Sequence, residues 1–112
     1  MTKARWNPRK LLRAHGVNYK VKFVNAKKDA DLEYGKWDGI CLPAEQLIKI
    51  DRAADDARKR EILLHELIHI SDQATSESPM SETRVGANAR FLVGTFRDNP
   101  GLASYIAGDG DP

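Results

Sequence analysis

Residues 65–69 read His-Glu-Leu-Ile-His, and this pentapeptide constrains the fold more than any other part of the chain. Apolar residues surround it from Ile62 to Ile70, a pattern typical of a helix that enters the core. Histidines four residues apart lie on one face of an α-helix, where both imidazoles can reach one ion. Two histidines and a glutamate buried in such a helix need polar partners, and a shared metal ion supplies one. We therefore expect a metal site rather than a chance motif on a surface helix.

The order of the three polar residues indicates a particular chemistry. His65 and His69 with Glu66 between them form the His-Glu-x-x-His pattern of zinc metalloproteases. Zn²⁺ lowers the pKa of a bound water from about 15.7 to about 7, and a neighbouring carboxylate accepts its proton as it attacks a carbonyl. The sequence therefore predicts Zn²⁺ as cofactor, His65 and His69 as ligands and Glu66 as the catalytic base.

A third protein ligand is expected, because catalytic zinc usually has three of them and a water. The metzincin extension would need glycine at position 72 and histidine at 75, and this chain has Asp72 and Thr75, which excludes that class. His15 lies far upstream. The acidic candidates that remain are Asp72, Glu77, Glu82 and Asp98.

Glu82 is the favoured ligand among these candidates. It starts an inward helix face that continues with Val85, Ala89, Leu92 and Phe96, where a carboxylate without a partner would be costly. Asp72 follows His69 by three residues and could accept an imidazole N–H, which would fix the tautomer. The alternative for Asp72 is an exposed acid near a helix end.

Local signals predict an α+β domain over residues 1–107, with a disordered tail at 108–112. We expect a short helix from Asn7-Pro8 to Ala14, strands at 17–24, near 32–42 and at 47–51, and a central helix from Ala53 to about Ala74. Ser78-Pro79 is the predicted start of a second long helix that runs to about Asp98, and a short helical turn is expected at 102–107.

Charge is unevenly distributed along the 112 residues, although the net charge is only +2. Residues 1–28 hold nine of the eighteen Lys and Arg and none of the sixteen acidic residues. This basic third could contact nucleic acid, but a solvated face that balances the acidic remainder is the favoured interpretation, because no aromatic-interleaved nucleic-acid-binding motif is found in it. No apolar run reaches the roughly 18 residues that span a bilayer, and no secretory signal is apparent. The lone Cys41 fits a reducing cytoplasm and a buried apolar role.

Several segments together resemble one metallopeptidase family. Tyr34-Gly35, residues 47–51, residues 60–69, Glu82 to Val85 and Arg97 to Pro100 are similar to the small phage-borne relatives of the ImmA/IrrE-like metallopeptidases. The resemblance covers about residues 32–106. It implies a minimal zincin fold, with a short three-stranded sheet packed on two helices, zinc held by His65, His69 and Glu82, and Glu66 as general base. The longer stretch between Gly35 and Ile48 departs from the family, and no DNA-binding domain is appended.

The expected function is zinc-dependent hydrolysis of peptide bonds, with a protein or peptide substrate lying along an edge strand at 47–51 or 32–42. Tyr34, Tyr105 and Arg84 are the candidates for stabilising the oxyanion. One alternative is a binding protein that keeps the zincin fold for structure, although such a protein has no need of Glu66. The other alternative is a DNA-associated protease of the SprT-like kind, whose zinc ribbon needs more cysteines than Cys41 alone.

Overall fold

The computed structural model describes residues 11–14, 16–75 and 80–108, apart from the side chains of residues 74 and 75. This part contains four strands: β1 (Leu12–Ala14), β2 (Val17–Val24), β3 (Gly39–Leu42) and β4 (Leu47–Asp51). It also contains three α-helices: α1 (Asp56–Thr75), α2 (Glu82–Asp98) and α3 (Leu102–Ile106). Single-turn 3-10 segments lie at Ala26–Lys28, Glu33–Gly35 and Pro43–Glu45. The chain is thus an α+β protein with a mixed sheet.

The sheet has the order β1-β2-β4-β3 over the described strands. β2 and β4 run parallel, with Val21 opposite Ile48, while β1 pairs antiparallel with β2 and β3 pairs antiparallel with β4. β4 therefore lies inside the sheet, and β3 forms one of its edges. The hairpin between β3 and β4 turns at Gln46, whose left-handed backbone (φ 52°) closes the connection.

The core lies between the sheet and α1. Alternate residues of β4, Ile48 and Ile50, are fully buried and cluster with Leu12, Tyr19 and Ile62, as the two-residue periodicity of a strand requires. Helix α1 packs on β3 and β4, and α2 packs on α1. Val85, Gly86 and Ala89 are the buried residues of α2. The pentapeptide of residues 65–69 thus lies in a helix that is covered on one side by the sheet and on another by α2.

The N-terminal prediction was wrong over residues 12–14. These residues form β1 and not the end of a helix, because Leu12 pairs with Tyr19 and is buried in the core. The sheet consequently has four described strands instead of the expected three. Residues 7–10 of the predicted helix lie outside the described residues, as do 109–112 of the predicted tail.

The strand expected near 32–42 is confirmed only at Gly39–Leu42. Before it, the Asp29 carboxylate accepts hydrogen bonds from the backbone N–H groups of Asp31 (2.9 Å) and Leu32 (3.2 Å), which folds the chain into a turn. Leu32 is fully buried beneath this turn. The strands at 17–24 and 47–51 are confirmed with the predicted bounds.

The long helices are confirmed, with corrections at their starts. α1 begins at Asp56 rather than Ala53, and the Asp55 carboxylate accepts the Arg58 N–H at 2.7 Å as a capping group. α2 is capped by Ser81, whose hydroxyl accepts the Arg84 N–H, while the predicted cap Ser78-Pro79 lies outside the described residues. Phe96 is 38% exposed and so does not belong to the buried face of α2. None of the helices in the described residues is long and apolar enough to cross a membrane.

Candidate metal centre

Three side chains converge at the contact between α1 and α2. The Nε2 atoms of His65 and His69 lie 3.2 Å apart, and Nε2 of His65 lies 3.1 Å from Oε2 of Glu82. The other carboxylate oxygen of Glu82, Oε1, is in contact with Nε2 of His69. One ligand atom from each of the three residues lies within 4.8 Å of the others, so this group could hold a metal ion.

The separations in this group can be compared with those in a tetrahedral zinc site. Bonds of about 2.0–2.1 Å at tetrahedral angles put neighbouring ligand atoms about 3.3–3.4 Å apart. The 3.2 Å and 3.1 Å separations are close to that spacing. The contact between Glu82 Oε1 and His69 Nε2 is shorter than this spacing, so that pair would have to separate around a bound ion. The group could thus hold a single small cation after a small adjustment of the Glu82 side chain.

Helix geometry brings the two histidines together, whereas Glu82 depends on the chain reversal between the helices. Glu82 is the first residue of α2, and the Ser81 cap fixes where that helix begins. Asp72 of α1 also helps to fix the start of α2, because its buried carboxylate accepts the Met80 N–H at 2.8 Å. The side chain of Glu82 remains 63% exposed. It therefore reaches the imidazoles from the end of the apolar face and not from within it.

Glu66 lies beside the histidines and is 5% exposed. Burial raises its pKa to about 7, and the negative charges of Glu82 and Asp38 act in the same direction. Hydrogen bonds from the thiol and backbone of Cys41 oppose the shift. The same burial, with the charge of Glu66, raises the pKa of the Cys41 thiol to about 11. A carboxyl group with a pKa near neutrality can both accept and release a proton.

Strand β3 approaches α1 closely at Gly39. A Cβ atom at this position would lie 2.3 Å from Cγ2 of Ile62 and 3.3 Å from Oε2 of Glu66. Real Cβ contacts are not that short, so a side chain could enter only if the strand or the helix moved. Gly39 therefore allows the edge of the sheet to lie directly against the carboxyl group of Glu66.

A cleft of about 480 Å³ opens over these groups. Residues 37–41 form one wall, and α1 with Glu82 forms the other. Arg58 lies in the α1 wall, where its guanidinium bonds Asp38 (2.6 Å) and Glu61 (2.8 Å). These ion pairs raise the pKa of Arg58 further, with the bond to Asp38 as the largest cause. The cleft thus combines the candidate metal ligands, a buried carboxyl group and a strand edge.

The structure separates the sequence-derived candidates into two groups. His65, Glu66, His69 and Glu82 are brought together in the cleft. Tyr34 (69% exposed), Tyr105 (51% exposed) and Arg84 do not line it. No hydrogen bond joins Asp72 to either imidazole among the described residues, so its proposed role toward a histidine stays a prediction. Asp98 lies at the opposite end of α2 from Glu82, about 24 Å away at 1.5 Å per residue. Glu77 is outside the described residues.

Other residues of the cleft were not anticipated from the sequence. Arg58, Ile62 and Gln73 line it, and they share one helix face with His65 and His69 at intervals of three or four residues. That spacing is a signal that could have identified them. Trp37 also lines the cleft, but its position depends on the preceding loop and has no local signal in the sequence.

Comparison with known proteins does not assign the chain to a family. No protein-family model, no curated protein and no solved structure matches the chain. A function for the protein is therefore inferred from the residues of the cleft and their geometry.

Proposed function

We propose that the protein is a zinc-dependent metallopeptidase with a minimal zincin fold, as its resemblance to the ImmA/IrrE-like family implies. The observation that carries the proposal is the convergence of His65, His69 and the Glu82 carboxylate beside a buried Glu66. Two imidazoles and a carboxylate are a donor set of catalytic zinc sites, whereas structural sites are usually rich in cysteine. Bound there, zinc would supply a Lewis acid that polarises a peptide carbonyl and acidifies a water molecule.

Glu66 is the general base of the proposed reaction. Its carboxylate accepts a proton from the attacking water and then gives that proton to the leaving amine, so that the group is unchanged after one turnover. A binding protein that used the fold only as a scaffold would have no use for a buried acid at this position.

Strand β3 is the site proposed for the substrate backbone. The segment 47–51 is now excluded from this role, because β4 lies between β2 and β3 and its backbone groups are already paired. β3 is an edge strand, and residues 38–41 line the cleft. An extended peptide can add to such an edge through main-chain hydrogen bonds, which would hold a scissile bond over Glu66.

The experiment is a comparison of wild-type protein with Glu66→Gln in metal content and hydrolysis. Zinc-loaded wild-type protein is expected to cleave members of a proteome-derived peptide mixture, as detected by mass spectrometry. Glu66→Gln keeps the shape of the side chain and removes the base, so zinc should remain bound while the rate falls by about 10²–10⁴-fold. Glu45→Gln, an exposed carboxylate in the 3-10 segment 43–45, is the matched control and should retain the wild-type rate.

Two results would contradict the proposal. One is zinc-loaded wild-type protein that cleaves no peptide, which would favour the binding-protein alternative. The other is cleavage that persists undiminished in Glu66→Gln, which would assign the hydrolysis to a contaminating protease.

A further inference from the structure

Trp37 is a large aromatic side chain that the fold leaves 46% exposed at the cleft. It lies two residues before Gly39, the residue that packs against the Glu66 carboxyl group. Two residues of extended chain span at most about 7 Å. The indole is therefore within reach of a substrate side chain one or two residues from the bond over Glu66.

The loop before Trp37 holds an unfavourable backbone conformation. Glu33 (φ 49°) and Tyr34 (φ 54°) are consecutive left-handed residues, followed by left-handed Gly35. L-residues with a Cβ seldom adopt this region, and such strain is concentrated at functional sites. Backbone hydrogen bonds from Tyr34 N–H to Asp29 (3.0 Å) and from Trp37 N–H to Leu32 (3.1 Å) keep the loop in place. The position of Trp37 is thus fixed by the fold at a cost in local strain.

The polar atom of the indole is used within the loop itself. Nε1 of Trp37 donates a hydrogen bond to Oε2 of Glu33 at 2.8 Å, and the ammonium group of Lys36 lies 5.3 Å from the ring centroid. These contacts set the orientation of the ring. What Trp37 offers to the cleft is therefore apolar surface and no free hydrogen-bond donor.

Arg58, a charged residue that also lines the cleft, is not free to select acidic substrates. The guanidinium of Arg58 donates to Asp38 at 2.6 Å and 3.0 Å and to Glu61 at 2.8 Å. Its charge is thus compensated by two carboxylates. An acidic substrate side chain would have to compete with both of them, whereas an apolar side chain needs only the surface of the indole.

We propose that Trp37 is a specificity-determining residue that selects peptides with a large apolar side chain within two residues of the scissile bond. This inference rests on the proposed peptidase function and names the substrate class of that site. A large apolar side chain removes more apolar surface from water against the indole than alanine does, which favours leucine over alanine by about 5- to 10-fold in kcat/KM.

The test compares two peptides that differ at one position, which is leucine in one peptide and alanine in the other. The position is the one at which large apolar residues are most enriched among the wild-type cleavage sites. The measured quantity is the ratio of kcat/KM for the leucine and alanine peptides. Wild-type protein should give about 5- to 10-fold, and Trp37→Ala should bring the ratio close to one. Trp37→Phe keeps an aromatic surface without the Nε1 bond and should retain most of the preference. Phe91→Ala, which removes another exposed aromatic residue outside the cleft, should give the wild-type ratio.

The ratio separates selection from a loss of structure, because general damage lowers kcat/KM for both peptides equally. Cleavage without an apolar preference, or a preference that is unchanged in Trp37→Ala, would overturn the inference and leave the peptidase proposal intact. If wild-type protein cleaves nothing, the peptidase proposal fails, and the role of Trp37 is decided by the binding of two synthetic peptides to wild-type protein and to Trp37→Ala, one peptide with leucine and one with alanine at every second position. Equal binding of both peptides, or no binding of either, would then overturn it.

Discussion

The Nε2 atoms of His65 and His69 face each other at 3.2 Å across one turn of α1. Two imidazole nitrogens at this distance are stable together only if a proton or a cation lies between or beside them, since each presents a lone pair when unprotonated. The Glu82 carboxylate completes the group from α2. The proposed metal site therefore depends on the packing of α2 against α1, which brings these three side chains together.

We predict that His69→Ala loses the metal and part of the stability. Ligation by α1 and α2 residues contributes folding free energy, because the unfolded chain holds no preformed site. Wild-type protein should contain one zinc per chain, and removal of zinc by a chelator should lower its melting temperature. The variant should contain almost no zinc and melt at the same temperature with or without chelator.

Arg60→Ala is the control for this prediction, because Arg60 is an exposed residue of the same helix. It should bind zinc as wild-type protein does. Full zinc occupancy in His69→Ala would show that His69 is not a ligand.

We predict that Glu82→Ala weakens zinc binding far more than Asp72→Ala. Glu82 presents both carboxylate oxygens to the imidazoles, whereas the Asp72 carboxylate accepts the Met80 N–H and so holds the chain reversal that positions α2. Asp72 can therefore affect zinc only through the position of α2, and its loss should cost less affinity than the loss of Glu82. Competition with a fluorescent zinc chelator would measure both constants. Equal losses in the two variants would place Asp72 among the ligands or remove Glu82 from them.

The helix face of the candidate site could be predicted from the sequence, because i, i+4 spacing alone places His65 and His69 together. Glu82 was favoured because a carboxylate on an apolar helix face needs a partner, but its side chain is 63% exposed, so that argument does not apply to it. Its contact with the imidazoles depends instead on where α2 begins. The position of Trp37 could not be predicted, because it depends on left-handed backbone at two residues that seldom adopt it. The strand β1 was missed although its signal is local. Leu12 lies opposite Tyr19 and Ala14 opposite Val17, and Gly16, between the two strands, has the positive φ (85°) of a turn residue.

We predict that Gly39→Ala destabilises the protein by about 1–3 kcal/mol, the usual cost of overpacking. The added Cβ would lie 2.3 Å from Cγ2 of Ile62, so β3 and α1 must separate. Because this contact also holds the strand edge against Glu66, the rate of hydrolysis should fall while zinc remains bound. Urea unfolding and zinc analysis of the same preparation would measure both effects.

Gly94→Ala is a control variant that should not lower the free energy of unfolding. Gly94 lies inside α2, and a Cβ there would meet nothing within 4 Å. Alanine at a helical position is favoured over glycine by up to about 1 kcal/mol, so this variant should be unchanged or more stable. A Gly39→Ala protein as stable as Gly94→Ala would show that the close approach of β3 and α1 is not required.

We predict that the ion pair between Asp29 and Lys49 stabilises the protein over a defined pH range. Nζ of Lys49 lies 2.9 Å from Oδ2 of Asp29, and this bond is the first cause of a lowered Asp29 pKa. Asp31 and Asp29 together raise the pKa of Lys49. A lowered carboxyl pKa contributes stability above its ordinary value of 3.8, and this contribution is lost as pH falls through the folded pKa. The raised pKa of Lys49 adds a contribution that is present below 10.5 and lost as pH rises through the folded value.

Asp29→Asn tests this range, because asparagine keeps an oxygen for the N–H groups of Asp31 and Leu32 but places an amide against Lys49. At pH 7 the variant should unfold at a lower urea concentration than wild-type protein, and the difference should shrink when both are measured well below pH 3.8. Glu33→Gln is the control, since its pair with Lys36 is exposed and 3.5 Å long, and such pairs contribute about 0–1 kcal/mol. A difference between Asp29→Asn and wild type that stays constant down to acid pH would mean that the charge of Asp29 does not stabilise the loop.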